Sequence, residues 1–201
     1  MTFKIITVGC KVNIYESEVM KEKLLQAGFK ETIDNSDIVI INTCSVTNMA
    51  DVKSRKMIRR EKKENPQRIL VVCGCSAENH RLELEGLGID ILIGNKDKSN
   101  IVSLIGEYQN NHKPITKFYD TRKLPFEDME VDKFTSHTRG FIKIQDGCNN
   151  YCSYCIIPYV RGNIRSKDID VALKEAKELV ANNHKEIVLT GIHTGSYGVG
   201  Y

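Results

Sequence analysis

Three of the seven cysteines, Cys148, Cys152 and Cys155, fall within eight residues in the spacing C-x3-C-x2-C. Three thiolates this close can hold three irons of a cubane cluster and leave the fourth iron open to an incoming ligand. A bacterial ferredoxin instead spaces its cysteines C-x2-C-x2-C with a distant fourth, and a zinc site wants four tight ligands. No fourth cysteine follows here. A structural metal knuckle is the plainer alternative. The other four cysteines, Cys10, Cys44, Cys73 and Cys75, are dispersed. Without an export signal, such thiols read as metal-binding or redox groups in a reducing cytoplasm rather than as a disulfide scaffold.

The elements that must position these residues can be read from hydrophobic pattern. Residues 3–8, 37–42, 68–72 and 90–93 are short, β-branched, nearly continuous apolar runs, suited to strands buried on both faces of a parallel sheet. Helical patterns cover residues 15–27, 49–64, 76–87 and 96–109, with glycine or Asn65-Pro66 stops. This alternation predicts an open, doubly wound α/β domain over residues 1–110. Residues 111–138 lose the pattern and read as a linker, with one β-like stretch (ITKFYD) able to pair at a sheet edge. From residue 139 a strand (141–145), a long loop (146–168), a helix (169–183) and a second strand (186–190) form one βαβ unit. One such unit cannot bury its own sheet faces, so residues 139–201 are expected to be an incomplete domain.

With the strands parallel, Cys10, Cys44 and Cys75 each lie just past a strand's carboxyl end, the edge where open α/β sheets bind ligands. Three thiols on one rim suggest a second three-thiolate cluster. Scattered cysteines are otherwise ordinary small core residues, and Cys73, inside its strand by alternation, is read as one.

The 201 residues are 41% hydrophobic and 27% charged, which excludes a disordered chain, and no apolar stretch is long enough to span a bilayer. The opening MTFKIITVGC lacks a cleavage site, so it is not read as a signal peptide. The net charge is +3, yet residues 53–64 alone carry seven positive and two negative charges. Lys53, Arg55, Lys56, Arg59 and Arg60 are therefore candidate phosphate contacts. The alternative is a solvated charged face, with Ala50, Met57 and Ile58 as a narrow apolar stripe.

The cysteine triplet, with Tyr154 before its last member, resembles the signature of radical S-adenosylmethionine enzymes. In that family the three cysteines bind a 4Fe-4S cluster whose fourth iron is chelated by the methionine amino and carboxylate groups. G-C-K-V-N at 9–13, N-T-C-S-V-T-N-M-A-D at 42–51, K-S-R-K-M-I-R-R at 53–60 and G-C-S-A at 74–77 resemble the N-terminal domain of tRNA methylthiotransferases. G-F-I-K-I-Q-D-G-C-N-N-Y-C at 140–152 and I-I-P-Y-V-R-G-N-I-R-S at 156–166 continue that resemblance. Lys11-Val12-Asn13 and VTNMAD are similar to the branch acting on N6-threonylcarbamoyladenosine. The isopentenyladenosine and ribosomal-protein branches typically differ at positions 11–13.

The resemblance implies a partial β/α barrel after the first domain and two 4Fe-4S clusters, on Cys148/Cys152/Cys155 and on Cys10/Cys44/Cys75. It also implies two uses of S-adenosylmethionine, one as methyl donor to sulfur and one cleaved to a deoxyadenosyl radical. Replacing an unactivated C–H bond at adenine C2 lies outside side-chain acid–base chemistry. Tyr154, Gly191 and Arg165 are implied S-adenosylmethionine contacts, and His193 stands where the family's turn usually has an acidic residue. Arg161 and Ser166 also match family positions. The implied partners are tRNA and an electron donor such as flavodoxin or ferredoxin, with no membrane and a cytoplasmic setting. A protein or isopentenyladenosine substrate, and a non-catalytic iron–sulfur module, stay open as alternatives.

Overall fold

The computed structural model describes residues 1–134 and 138–199. Residues 135–137 of the expected linker, and 200–201 of the glycine-rich end, lie outside the described residues. In chain order the first elements are β1 (Thr2–Thr7), α1 (Lys11–Gln26), β2 (Lys30–Glu31), β3 (Ile38–Thr43), α2 (Asn48–Glu64) and β4 (Ile69–Gly74). Then come α3 (Cys75–Asn79), α4 (Arg81–Glu85), β5 (Ile91–Ile93), α5 (Ile101–Asn111) and β6 (Ile115–Lys117). Six strands form one sheet in the order β2-β1-β3-β4-β5-β6, with every pairing parallel. The α/β class is as expected. ITKFYD supplies the edge strand β6.

The apolar runs divide cleanly between the two sheet faces because successive side chains point to opposite sides. Phe3, Ile38, Ile40, Val71 and Ile91 pack under Met20 and Leu24 of α1 and Leu104 and Ile105 of α5. Val39, Ile41, Leu70, Val72 and Leu92 pack under Ile58 of α2, Ala77 of α3 and Leu84 of α4. Two expected helices differ. The first starts four residues earlier, directly after Cys10, whose extended backbone forms its N-cap. The stretch 76–87 divides at His80, whose φ of −116° and ψ of 30° break the helix.

The second unit comprises β7 (Gly140–Lys143), β8 (Gln145–Asp146), α6 (Ile157–Val160), β9 (Arg165–Ser166), α7 (Ile169–Ala181) and β10 (Ile187–Thr190). β7 and β10 pair in parallel with α7 as the crossover, which is a βαβ unit. β8 and β9 pair antiparallel and clamp the loop carrying the cysteine triplet. Helix α1 packs against both units. Tyr15 and Val19 join Phe141, Ile142, Ile144 and Leu179 in one cluster that also takes in Met129, Val131 and Phe134. Buried on the sheet side and on this side alike, α1 has no clean polar face.

Candidate functional site

The sheet order reverses between β1 and β3: from β1 the chain moves outward to β2, then returns to build β3 through β6 on the other side. Ligands of open α/β sheets bind in the crevice beyond the strand ends at such a switch point. Cys10 follows β1 and Cys44 follows β3, so both stand at that crevice. The two loops touch. Gly9 has φ +125°, and a Cβ there would fall 2.8 Å from Cys44 Cβ and 3.0 Å from its Sγ. Only glycine allows this approach.

A cavity of about 870 Å³ opens on these thiols, lined by Gly9, Cys10 and Cys44 on the sheet side and by Met49, Lys53, Met57 and their neighbours on α2. Cys44 is buried, and burial pushes its thiol up, partly offset by a backbone hydrogen bond from Val46; Cys75 and Cys10 lie within electrostatic range. Cys75 opens α3 behind them, buried, with Asn95 Nδ2 3.6 Å from its Sγ. It does not line the cavity. Cys73 is fully buried inside β4 among core residues, as expected, and burial pushes its thiol up to about 12.

The second triad lies on a loop folded tightly around backbone contacts. Cys148 N donates to Gly162 O (3.0 Å), Cys155 N to Cys152 O (2.9 Å) and Ile164 N to Asn149 Oδ1 (3.0 Å). Gly147, at φ +72°, leaves no room for a Cβ against the Asn163 carbonyl. Cys152 is exposed, and Cys148 and Cys155 are half-buried. Among the described residues, no three cysteine, histidine or acidic side chains converge tightly enough for a single metal ion. A cubane, in which each thiolate takes a different iron, asks for wider spacing than one ion does.

The remaining expected residues divide. Tyr154 is 91% exposed beside the triad. A Cβ at Gly191 would press on Gln145 (2.9 Å to its Cβ), and Gln145 Nε2 in turn donates to the carbonyls of Asp146 and Gly147 (2.8 and 2.7 Å). Gly191 thus packs against the residue that braces the cysteine loop. Arg165 donates to Thr121 O (3.1 Å) and approaches Asp146 (3.5 Å). His193 accepts or donates through Nδ1 to Ser196 Oγ (2.6 Å).

On α2, Lys53, Lys56 and Arg60 line the cavity. Arg55 is turned away, held by Asp51 (3.0 Å) and Glu83 (3.2 Å), and Arg59 is exposed. The buried stripe of this helix is Asp51, Ser54, Ile58 and Glu61, more polar than the expected Ala50, Met57 and Ile58. It is satisfied by local pairs, including Ser76 Oγ to Asp51 (2.6 Å) and Arg68 to Glu61.

Between the triads lies a buried ion cluster that pattern reading did not reveal. Glu16 on α1 accepts from Lys98, from Lys143 (3.0 Å) and from Arg161 (2.8 Å), all essentially inaccessible to solvent. Asp146 accepts from Lys143 and Arg161 (3.2 Å each). Burial opposes charge on Glu16, but Arg161, Lys143 and Lys98 hold its carboxyl well below the usual range; Lys143 and Arg161 likewise hold Asp146 low. Three buried cations face two carboxylates, and the buried Nε of Arg161 has no hydrogen-bond partner among the described residues. A thiolate-bound iron–sulfur cluster is anionic. Surplus positive charge beside the buried Cys75, together with thiols on a cavity, fits such a group. The sequence signal was available: Asn13 and Glu16 interrupt the buried side of a helix, and Lys143 interrupts an apolar strand.

Residues 2–94 match the profile described as "Uncharacterized protein family UPF0004", and residues 142–198 match the Radical SAM superfamily. The two matches lie one after the other along the chain, on the two units described above. Among curated proteins it is 42% identical over 196 residues to the threonylcarbamoyladenosine tRNA methylthiotransferase MtaB of Bacillus subtilis, and 34% identical to that of Aquifex aeolicus. It is 35% identical to the tRNA-2-methylthio-N(6)-dimethylallyladenosine synthase of Clostridium tetani. These alignments cover 96–98% of this chain but 44–48% of the relatives, so the chain spans just under half their length. The resemblance to tRNA methylthiotransferases read from the motifs is borne out, with the threonylcarbamoyladenosine branch foremost.

Proposed function

We propose that the protein methylthiolates C2 of N6-threonylcarbamoyladenosine next to the anticodon of tRNA. The observation carrying this reading is the juxtaposition, in one chain, of a cysteine rim at a sheet switch point and a separate C-x3-C-x2-C loop whose flanking Asp146 and Arg161 join the buried ion cluster on α1. Cys10, Cys44 and Cys75 would hold one 4Fe-4S cluster and Cys148, Cys152 and Cys155 the other. When bound, the clusters and S-adenosylmethionine would supply the one-electron chemistry and the methylthio group that side chains cannot.

The chain's own residues do the positioning. Gly9 lets the Cys10 loop close on Cys44. Gln145, seated against Gly191, braces the Cys148 loop, with Tyr154 and Arg165 beside it as candidate cofactor contacts. Lys53, Lys56 and Arg60 put three cations on the wall of the cavity beside Cys10 and Cys44. Their charge suits a base bearing a carboxylate, as the threonylcarbamoyl group does, better than an apolar dimethylallyl group, and favours the first branch over the second. Arg59 on the same helix is free to meet backbone phosphate. No helix among the described residues is long and apolar enough to cross a membrane. A cytoplasmic setting and a small electron-transfer protein such as flavodoxin or ferredoxin complete the proposal.

The test is nucleoside mass spectrometry of tRNA from cells in which the encoding gene is deleted and then restored. The 2-methylthio form of N6-threonylcarbamoyladenosine should vanish and return. An unchanged level would remove the reading, and a change confined to the isopentenyl nucleoside would transfer it to the other branch.

A further inference from the structure

Arg161 comes immediately after α6, the short helix that follows the second cysteine triad, yet besides Asp146 its side chain is held by Asn13 and Glu16 of the first unit. Nη2 donates to Asn13 Oδ1 at 3.1 Å. That same oxygen is 3.5 Å from Cys10 Sγ, and Asn13 Nδ2 ties the ends of β1 and β3 together through Val8 O (3.0 Å) and Thr43 O (2.9 Å). Nη1 is held by Glu16 (2.8 Å) and Asp146 (3.2 Å), and the side chain is 1% exposed or less. A second link runs in parallel. Asn95, whose amide lies 3.6 Å from Cys75 Sγ, donates to Val160 O at 2.8 Å, one residue before Arg161.

Two asparagines thus each touch a cysteine of the first triad and one of two consecutive residues of the second unit, Asn13 meeting Arg161 and Asn95 meeting Val160. The electrostatic partners agree. Burial opposes the charge on the Arg161 guanidinium, and Cys75, ahead of Glu16 and Asp146, is the main influence holding it charged; Arg161 also acts on Cys44. A buried guanidinium cannot lose its proton at any ordinary pH, and in a low-dielectric setting its field reaches its neighbours with little screening. Second-sphere charge and hydrogen bonds of this kind set reduction potentials of iron–sulfur clusters.

We propose that Arg161 is a positioning residue donated by the second unit to the first triad, and that its fixed charge raises the reduction potential of the cluster held by Cys10, Cys44 and Cys75. The residue then makes that potential depend on docking of the two units. This rests on the reading of the first triad as a cluster site. The redox step is the uptake of one electron by the cluster from an external titrant, with no bond made or broken in the protein.

The experiment is an anaerobic redox titration followed by electron paramagnetic resonance. It uses the full chain with Cys148, Cys152 and Cys155 changed to alanine, so that only the first triad's cluster is read. In this background Arg161→Gln should favour the oxidised cluster by at least tenfold, a downward shift of about 59 mV for a one-electron couple. Arg161→Lys keeps the charge and should retain most of the parent potential. Should the glutamine variant fail to fold, the pair Arg161→Gln with Asp146→Asn removes one charge of each sign from the buried ion cluster and should still shift the potential downward, by less than Arg161→Gln alone, because the lost carboxylate offsets part of the effect. Parent and variants with equal potentials and equal iron would overturn the role of Arg161 alone. A parent that binds no iron would overturn the cluster reading and this inference together.

Discussion

At the scale of single residues, the site depends on where the chain can afford no side chain and where it hides a thiol. Gly9 is confined to a conformation that side-chain-bearing residues rarely adopt, and its missing Cβ is what admits Cys44. Gly9→Ala should cost about 1–3 kcal/mol of stability in urea unfolding and release the iron of the first triad. Retention of both stability and iron would mean that Gly9 does not seat the two cysteines. Cys73 and Cys75 are two positions apart and both buried, but Cys73 sits inside β4 while Cys75 opens α3 beside Asn95. Cys73, protonated at neutral pH by its burial and enclosed by Ile41 and Asn42, has no open side for a ligand. Cys73→Ala should therefore leave iron per chain and the visible spectrum unchanged, whereas Cys75→Ala should lower both; the two purified variants need only be compared after identical reconstitution.

At the scale of elements, α2 separates binding charge from structural charge. Lys53, Lys56 and Arg60 recur along the helix face that borders the cavity, Arg60 also pairing with Glu64 (2.9 Å), while Arg55 bridges Asp51 and Glu83 and Lys62 reaches Asp90 (3.2 Å). Charge reversal at Lys53 and Lys56 should weaken tRNA binding and flatten its dependence on salt by about one unit of slope for each phosphate no longer neutralised. Reversal at Arg55 should instead lower the unfolding midpoint and leave that slope alone. Filter binding across a salt series, paired with thermal melts, distinguishes the faces, and equal slopes in all variants would return α2 to a solvated charged surface. The same helix shows what could be read from sequence. Strands of Ile and Val and the Asn65-Pro66 stop announce β3, α2 and β4 because their causes are local. Helical spacing sets Arg55 and Arg60 about 140° apart around α2, and Asp51 is a local partner, but nothing local announces Glu83, 28 residues from Arg55. Nor does local pattern announce the break at His80, where the ring is drawn to Asp51 (3.0 Å) on another helix.

At the scale of the whole molecule, the two units are joined by charge as much as by apolar packing, and the charges come from residues that have no meaning alone. Glu16 reads as a misplaced acid on α1 until Lys143 and Arg161 arrive from more than a hundred residues away. Long-range pairing of this kind is invisible to periodicity, which explains why the cysteines were legible and the seam between them was not. The seam has a calculable pH signature. Glu16 and Asp146 are held below the ordinary carboxylate value, so their contribution is fully present above about pH 4 and is lost as pH falls through their lowered values. Lys143 is shifted upward, mainly by Glu16 and Asp146 against the opposing effect of burial, so its contribution persists from neutral pH until alkali passes its raised value. Glu175, raised by burial, works in the opposite sense near its own titration, and Asp37 adds a lowered carboxylate elsewhere, so the acid limb of the intact protein is a composite. The difference between parent and Glu16→Gln isolates the seam. At neutral pH this variant leaves Lys98 without its carboxylate and Lys143 and Arg161 with Asp146 alone, and should lose about 3–5 kcal/mol, as when one partner of a buried pair is removed. Below about pH 4 the parent loses what the variant never had, so the two urea midpoints should converge. Midpoints that stay equally separated down to about pH 2 would show that Glu16 does not carry the acid sensitivity of the seam. Convergence would show that acid loosens the contact between the two cysteine-bearing units through this one carboxylate.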